Sequence, residues 1–138
     1  MENVSIYENS NIKIYINANQ TLLFFEIIDG TYNQKKFLEA IEYYENFWLL
    51  VNNSEDKYYQ IFIFNDVKSY PLFFYNEIYK TLKKLENIFK KNLFSSCLIN
   101  KSNAIDILKP LLNMYKSVKP FKFVKTLEDG YNFLFNNI

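Results

Sequence analysis

Residues 58–79 read YYQIFIFNDVKSYPLFFYNEIY. Tyr58 to Phe64 is an apolar run without an internal charge; it stops at Asn65-Asp66, crosses a short polar turn and resumes after Pro71 with apolar residues at helical spacing. The pattern predicts a strand, a loop and a helix. In a sheet covered by helices, the loop leaving the carboxyl end of a central strand is where ligands, modifications and partners meet the fold.

Upstream, Ile12, Ile14 and Ile16 alternate with Lys13, Tyr15 and Asn17, which is period two and predicts a strand with one wet face, set at a sheet edge. Residues 1–10 are polar and read as a loose lead-in. Thr21 to Ile28 (TLLFFEII) is apolar on both faces apart from Glu26, so the two segments form an antiparallel hairpin with the second strand deeper. Phe37, Ile41, Tyr44, Trp48 and Val51 then recur at steps of four, three, four and three, predicting an amphipathic helix of about 18 residues capped by Asn33 or Thr31. A second stripe, Ala40, Tyr43, Phe47 and Leu50, widens its apolar arc.

Downstream, one helix is expected from about Pro71 to Lys91, with Phe74, Ile78, Leu82, Leu85 and Phe89 inside. Its lysine-rich outer face reads as solvated surface with local ion pairs such as Glu86 with Lys90. Leu93 to Asn100 is a short strand holding Cys97 as a small core residue. Ser102 caps a helix carrying Ile105, Leu108, Leu112 and Tyr115, which Pro110 interrupts, so a kink or two abutting short helices is expected near Lys109. Phe121 to Val124 is a last strand, and Thr126 caps a final helix with Leu127, Tyr131 and Leu134 facing inward. The expected fold is α/β, a single domain over residues 1–138: an N-terminal antiparallel hairpin followed by serial βα units (β-β-α-β-α-β-α-β-α), about five strands in a mixed sheet, helices mainly on one face.

A chain of 138 residues suits one domain. With 49% hydrophobic and 20% aromatic residues it is a folded globule. The net charge of +1 supplies no field to gather nucleic acid or anionic membrane. No apolar stretch approaches the roughly 20 residues of a membrane span. A single cysteine and an N-terminus without signal-peptide character fit a reducing, cytoplasmic location.

All 16 basic residues are lysines and histidine is absent, which removes the usual general base, the Ser-His triads, most zinc sites and the bidentate arginine clamp. Two glycines, Gly30 and Gly130, leave no phosphate loop or dinucleotide fingerprint. Two carboxylates, Asp29 and Asp66, end the second and third expected strands and share one rim if those strands are neighbours; they read as turn residues rather than a catalytic pair. No enzyme activity and no cofactor are expected.

The element order, with the stretches IIDGTYNQKKFLEAI (27–41), IFIFNDV (61–67) and FKFVKTLEDGYNFL (121–134), resembles the STAS or anti-sigma-factor-antagonist group, whose fold is shared with the CRAL-TRIO lipid-binding domains. The likeness runs from Ile12 to about Phe135. In that group a Ser or Thr at the start of the helix after the third strand, usually preceded by Asp, is phosphorylated by a partner kinase to switch binding. Here the matching segment is Asp66-Val67-Lys68-Ser69-Tyr70-Pro71, which lacks the group's Asp-Ser-Ser-Gly-Leu type of sequence. The resemblance implies a regulatory, protein-interaction module that docks a protein partner through Asp66, Ser69 and Tyr70. Ser69 as a plain helix cap is the simpler reading. The other function it implies is a CRAL-TRIO-like carrier of an apolar ligand or lipid. Homodimerisation through the Ile12–Ile16 edge or the aromatic surface of the first helix stays open.

Overall fold

The computed structural model describes residues 3–17, 19, 21–28, 31–65, 67, 70–100 and 116–136. Its elements are β1 (Val4–Glu8), β2 (Ile12–Asn17), β3 (Leu22–Ile27), α1 (Gln34–Val51), β4 (Tyr58–Phe64), α2 (Leu72–Lys84), α3 (Glu86–Asn92), β5 (Leu93–Asn100), β6 (Phe121–Val124) and α4 (Leu127–Asn136). The strands form one sheet whose spatial order, β1 to β6, follows the chain. β1, β2 and β3 are antiparallel, and β3 through β6 are parallel. The sheet is therefore mixed and α/β in class, with six strands rather than five.

The extra strand is β1, within the stretch expected to be a loose lead-in. Its register slips between Ser5 and Tyr7, so its apolar residues do not alternate cleanly. β2 consequently has neighbours on both sides, and the open edge invoked for homodimerisation at Ile12–Ile16 does not exist. Its wet face is as expected: Ile12 and Ile14 are buried, while Lys13, Tyr15 and Asn17 are half-buried on the other side.

Period-two alternation divides the apolar strands between two cores. Leu23, Phe25 and Ile27 of β3, Phe62 and Phe64 of β4 and Leu98 of β5 meet α1, α2 and α3. Leu22, Phe24, Ile61, Ile63, Cys97 and Ile99 point the other way, toward α4. Gln60, the one polar residue within β4, is buried and accepts a 2.5 Å hydrogen bond from the Tyr44 hydroxyl, so its amide oxygen is not stranded.

α1 begins where Asn33 Oδ1 accepts the Lys36 amide at 3.0 Å, and its expected inner stripe of Phe37, Ile41, Tyr44, Trp48 and Val51 is buried throughout. The second stripe widens the buried arc only at Ala40 and at the half-buried Phe47, whose ring packs on Trp48 and Tyr58; Tyr43 and Leu50 are exposed. The long helix expected after β4 breaks at Leu85, whose ψ of 4° leaves the helical region. No glycine or proline marks the break; Leu85 turns inward and is buried. Asn92, at the end of α3, is buried and its Nδ2 lies 2.7 Å from the Asp56 carbonyl and 3.2 Å from those of Val51 and Ser54, tying α3 to the loop between α1 and β4.

The outer lysines are paired differently from expectation. Lys83 meets Glu86 at 2.8 Å in place of Lys90, and Lys84 reaches across to Glu45 of α1 at 2.9 Å. At the end of the chain Thr126 Oγ1 accepts the Asp129 amide at 3.1 Å, as predicted for a cap. Leu134 is buried, but Leu127 is exposed because it sits in the first turn, before α4 reaches the sheet. The helix expected from Ser102 across Pro110 lies outside the described residues. Among those described, no helix is long and apolar enough to cross a membrane.

Candidate functional site

The parallel strands β3, β4 and β5 end together, with Ile27 opposite Phe64 and Phe64 opposite Asn100. β3 and β4, the strands that Asp29 and Asp66 follow in sequence, are thus neighbours, while both acids lie outside the described residues. Asn65 secures the exit of β4: its amide N–H donates to the Ile27 carbonyl at 3.2 Å, and its Nδ2 donates to the same oxygen at 2.7 Å.

Of the three residues singled out in the sequence, Asp66 and Ser69 lie outside the described residues and Tyr70 does not. Tyr70 is only 6% exposed. Its ring stands edge-on to Phe74 at 4.9 Å and to Tyr32 at 5.1 Å, and its amide donates to the Val67 carbonyl at 3.0 Å. Val67 is fully buried, and its carbonyl also accepts the Tyr75 hydroxyl at 2.8 Å. Burial, with Tyr70 beside it, pushes the Tyr75 hydroxyl up to about 12, so it remains protonated and remains a donor. The base of the loop is therefore an aromatic block of Tyr32, Phe37, Phe64, Tyr70, Phe74 and Tyr75. Tyr70 anchors the loop in this arrangement and does not present its ring to solvent.

What the site does present is the start of α2. Pro71 occupies the cap position in an extended conformation and, among the described residues, no side chain caps the first turn; the cap expected from Ser69 lies outside them. Leu72 is 73% exposed and Phe73 36% exposed. Neither belongs to the expected inner stripe, which is buried at Phe74, Ile78, Leu82, Leu85 and Phe89.

On the opposite face the same rim carries a polar cluster that the sequence signalled only through the lone charge in TLLFFEII. Glu26 Oε1 accepts the Tyr15 hydroxyl at 3.2 Å, and Glu26 Oε2 accepts Asn65 Nδ2 at 3.3 Å. Burial first, and the Glu26 carboxylate second, push the Tyr15 hydroxyl pKa up, which keeps it a neutral donor. Lys13 stands opposite Glu26 in the ladder, with its Nζ 5.3 Å from the centre of the Tyr15 ring. The carboxylate is held by neutral donors at the end of an apolar face, an arrangement that fixes the β2–β3–β4 register at the rim.

Cys97 is fully buried, and burial pushes its thiol up to about 12, so it is a protonated packing residue. Among the described residues no group of three or more acidic, cysteine or histidine side chains converges as a metal site. The aromatic surplus is spent on ring contacts within the core, such as Phe25 on Tyr44 at 5.5 Å and Trp48 on Phe89 at 5.1 Å, both edge-to-face. No family model matches the chain, and no curated protein is significantly similar to it.

Proposed function

We propose that the protein is a non-enzymatic, regulatory interaction module that docks a protein partner on the β4–α2 loop and the first turn of α2, in the manner of STAS-like domains. One observation carries the reading: Leu72 and Phe73 hold apolar surface in solvent on a base that Val67, Tyr70 and Tyr75 hold rigid. A preordered apolar patch loses little conformational freedom on binding, which favours partner capture. The strand order, which follows the chain across serial βα units, is consistent with the resemblance. Asp66 and Ser69 belong to the docking loop by sequence, Tyr70 acts by anchoring it, and the protein works in the cytoplasm.

The test replaces Leu72 and Phe73 together by serine. Both side chains are exposed, so stability should change by no more than about 1 kcal/mol. The complex with the partner recovered from source cells should weaken at least about tenfold, the loss expected for removing two interface anchors. Unchanged affinity in a folded variant would refute the reading.

A further inference from the structure

We propose that the free edge of β6, with the groove beside it, binds an acidic, extended peptide segment of a partner protein by strand addition. This surface lies at the end of the sheet beyond β5 and is independent of the β4–α2 loop.

Among the described residues β6 pairs only with β5. The Ser96 amide donates to the Pro120 carbonyl at 3.0 Å, and Ser96 lies opposite Phe121. Backbone groups alternate along a strand, so the N–H and C=O of Lys122 and Val124 point to β5 while those of Phe121 and Phe123 point away from it. The other edge of the sheet, β1, is irregular between Ser5 and Tyr7, a device that blunts an edge against pairing. β6 shows no such slip in its register.

Beside this edge, between β6 and α4, runs an open groove of about 490 Å³, lined in part by Lys122, Lys125, Asp129, Asn132, Phe133 and Asn136. Its charge identifies the occupant. Lys116, Lys119, Lys122 and Lys125 recur at every third position, and residues 116–125 contain no acid. Lys13, Lys80, Lys83 and Lys84 are each matched to a carboxylate, whereas no ion pair among the described residues engages these four. Lys122 lies over the Phe133 ring, 5.9 Å from its centre. Among the described residues Asp129 is the single acid in the groove lining.

An edge that alternates donors with acceptors fits a peptide backbone. The lysines select acidic side chains on it. A second copy paired along β6 would bring two such lysine rows together, and like charges across a ladder repel. A DNA backbone has no donors for the outward carbonyls of Phe121 and Phe123, an RNA backbone offers only its 2′-hydroxyls, and the chain has no arginine to clamp phosphate bidentately.

The probe is a short, end-blocked peptide of alternating Glu and Val, compared with its Lys-and-Val counterpart by fluorescence anisotropy and amide hydrogen exchange on the full chain. The acidic peptide should bind, weaken as salt rises, and slow exchange at the Phe121 and Phe123 amides, with the Lys122 and Val124 amides already slow. Lys122→Glu with Lys125→Glu should weaken it about tenfold, as expected for two exposed ion pairs turned repulsive. Because Lys122 packs on Phe133, Lys125→Glu alone provides a second variant at an exposed site, with a smaller loss in the same direction. The proposal is overturned by no binding, by equal binding of the two peptides, by undiminished binding to the charge-reversed variants, or by binding that leaves the Phe121 and Phe123 amides unprotected. A dimer in sedimentation with those amides already protected also overturns it.

Discussion

On the side of α1, α2 and α3 the sheet sets Phe25, Phe62 and Phe64 against Phe37, Tyr44, Trp48, Phe74 and Phe89. On the side of α4 the same strands set Leu22, Phe24, Ile61, Ile63, Cys97 and Ile99 against a ten-residue helix in which only Gly130 and Leu134 are buried. The first face is thick and closed by interlocked rings, and it immobilises the base of the β4–α2 loop. The second is thin, ends in the Glu26 polar cluster and opens into the groove beside β6. Rigidity is thus concentrated on one face, and each proposed contact surface sits at its margin: the start of α2 at the rim, and β6 at the edge.

The most severe test of that contrast is Trp48→Ala against Leu134→Ala. Trp48 is fully buried and packs edge-to-face on Phe47 and Phe89, so its loss should cost about 3–5 kcal/mol in chemical denaturation. Leu134→Ala should fall at the lower end of the range for such deletions, about 2–3 kcal/mol, because the thin face can collapse around it. Equal costs would mean the faces are not mechanically different.

Asn92→Ala should cost about 2 kcal/mol, the scale for leaving buried carbonyls without their donor. Amide exchange across residues 52–57 should quicken in the same variant, because Asn92 faces the Val51, Ser54 and Asp56 carbonyls. A loss of stability without faster exchange in that loop would assign Asn92 to packing alone.

A smaller effect probes the thin face directly. A Cβ at Gly130 would lie 3.0 Å from Cys97 Sγ. Gly130→Ala should therefore lose the benefit of about 1 kcal/mol that alanine brings to a helix interior, and regain it in a Cys97→Ala background. A double-mutant cycle should show about 1 kcal/mol of favourable coupling. Zero coupling would show that α4 moves away freely and that this face is looser than described.

The serial βα order was legible because β4, at Tyr58–Phe64, is a chargeless run between clear breaks, because β6, at Phe121–Val124, is a short aromatic stretch set off by Pro120 and Thr126, and because the inner stripe of α1 keeps strict helical spacing. β1 escaped because it is an exposed edge strand whose irregularity scrambles period two. The break at Leu85 escaped because a buried leucine carries no sign of a helix end. At the candidate site, the sequence pointed to the loop but gave no sign of how its described residues are buried or exposed. A tyrosine beside a serine and a proline looks like surface, yet Tyr70 is buried by contacts from Phe74, in the first turn of α2, and from Tyr32, which lies in a distant segment of the chain. The exposed Leu72 and Phe73 sit in an unbroken apolar run, LFFY, where only the helix's orientation on the sheet decides which side faces water. The Glu26 cluster is assembled from β2, β3 and the end of β4, so no local stretch announces it.

Leu72 and Leu50 offer a matched pair for testing whether the start of α2 is the docking surface, since they are exposed to nearly the same degree, 73% and 74%, at different places on the molecule. A photoreactive amino acid placed at either position in source cells should give one discrete protein adduct from position 72, lost when Phe73→Asp is added, and none from position 50. No adduct from position 72, or the same adducts from both positions, would contradict a docking surface at the start of α2.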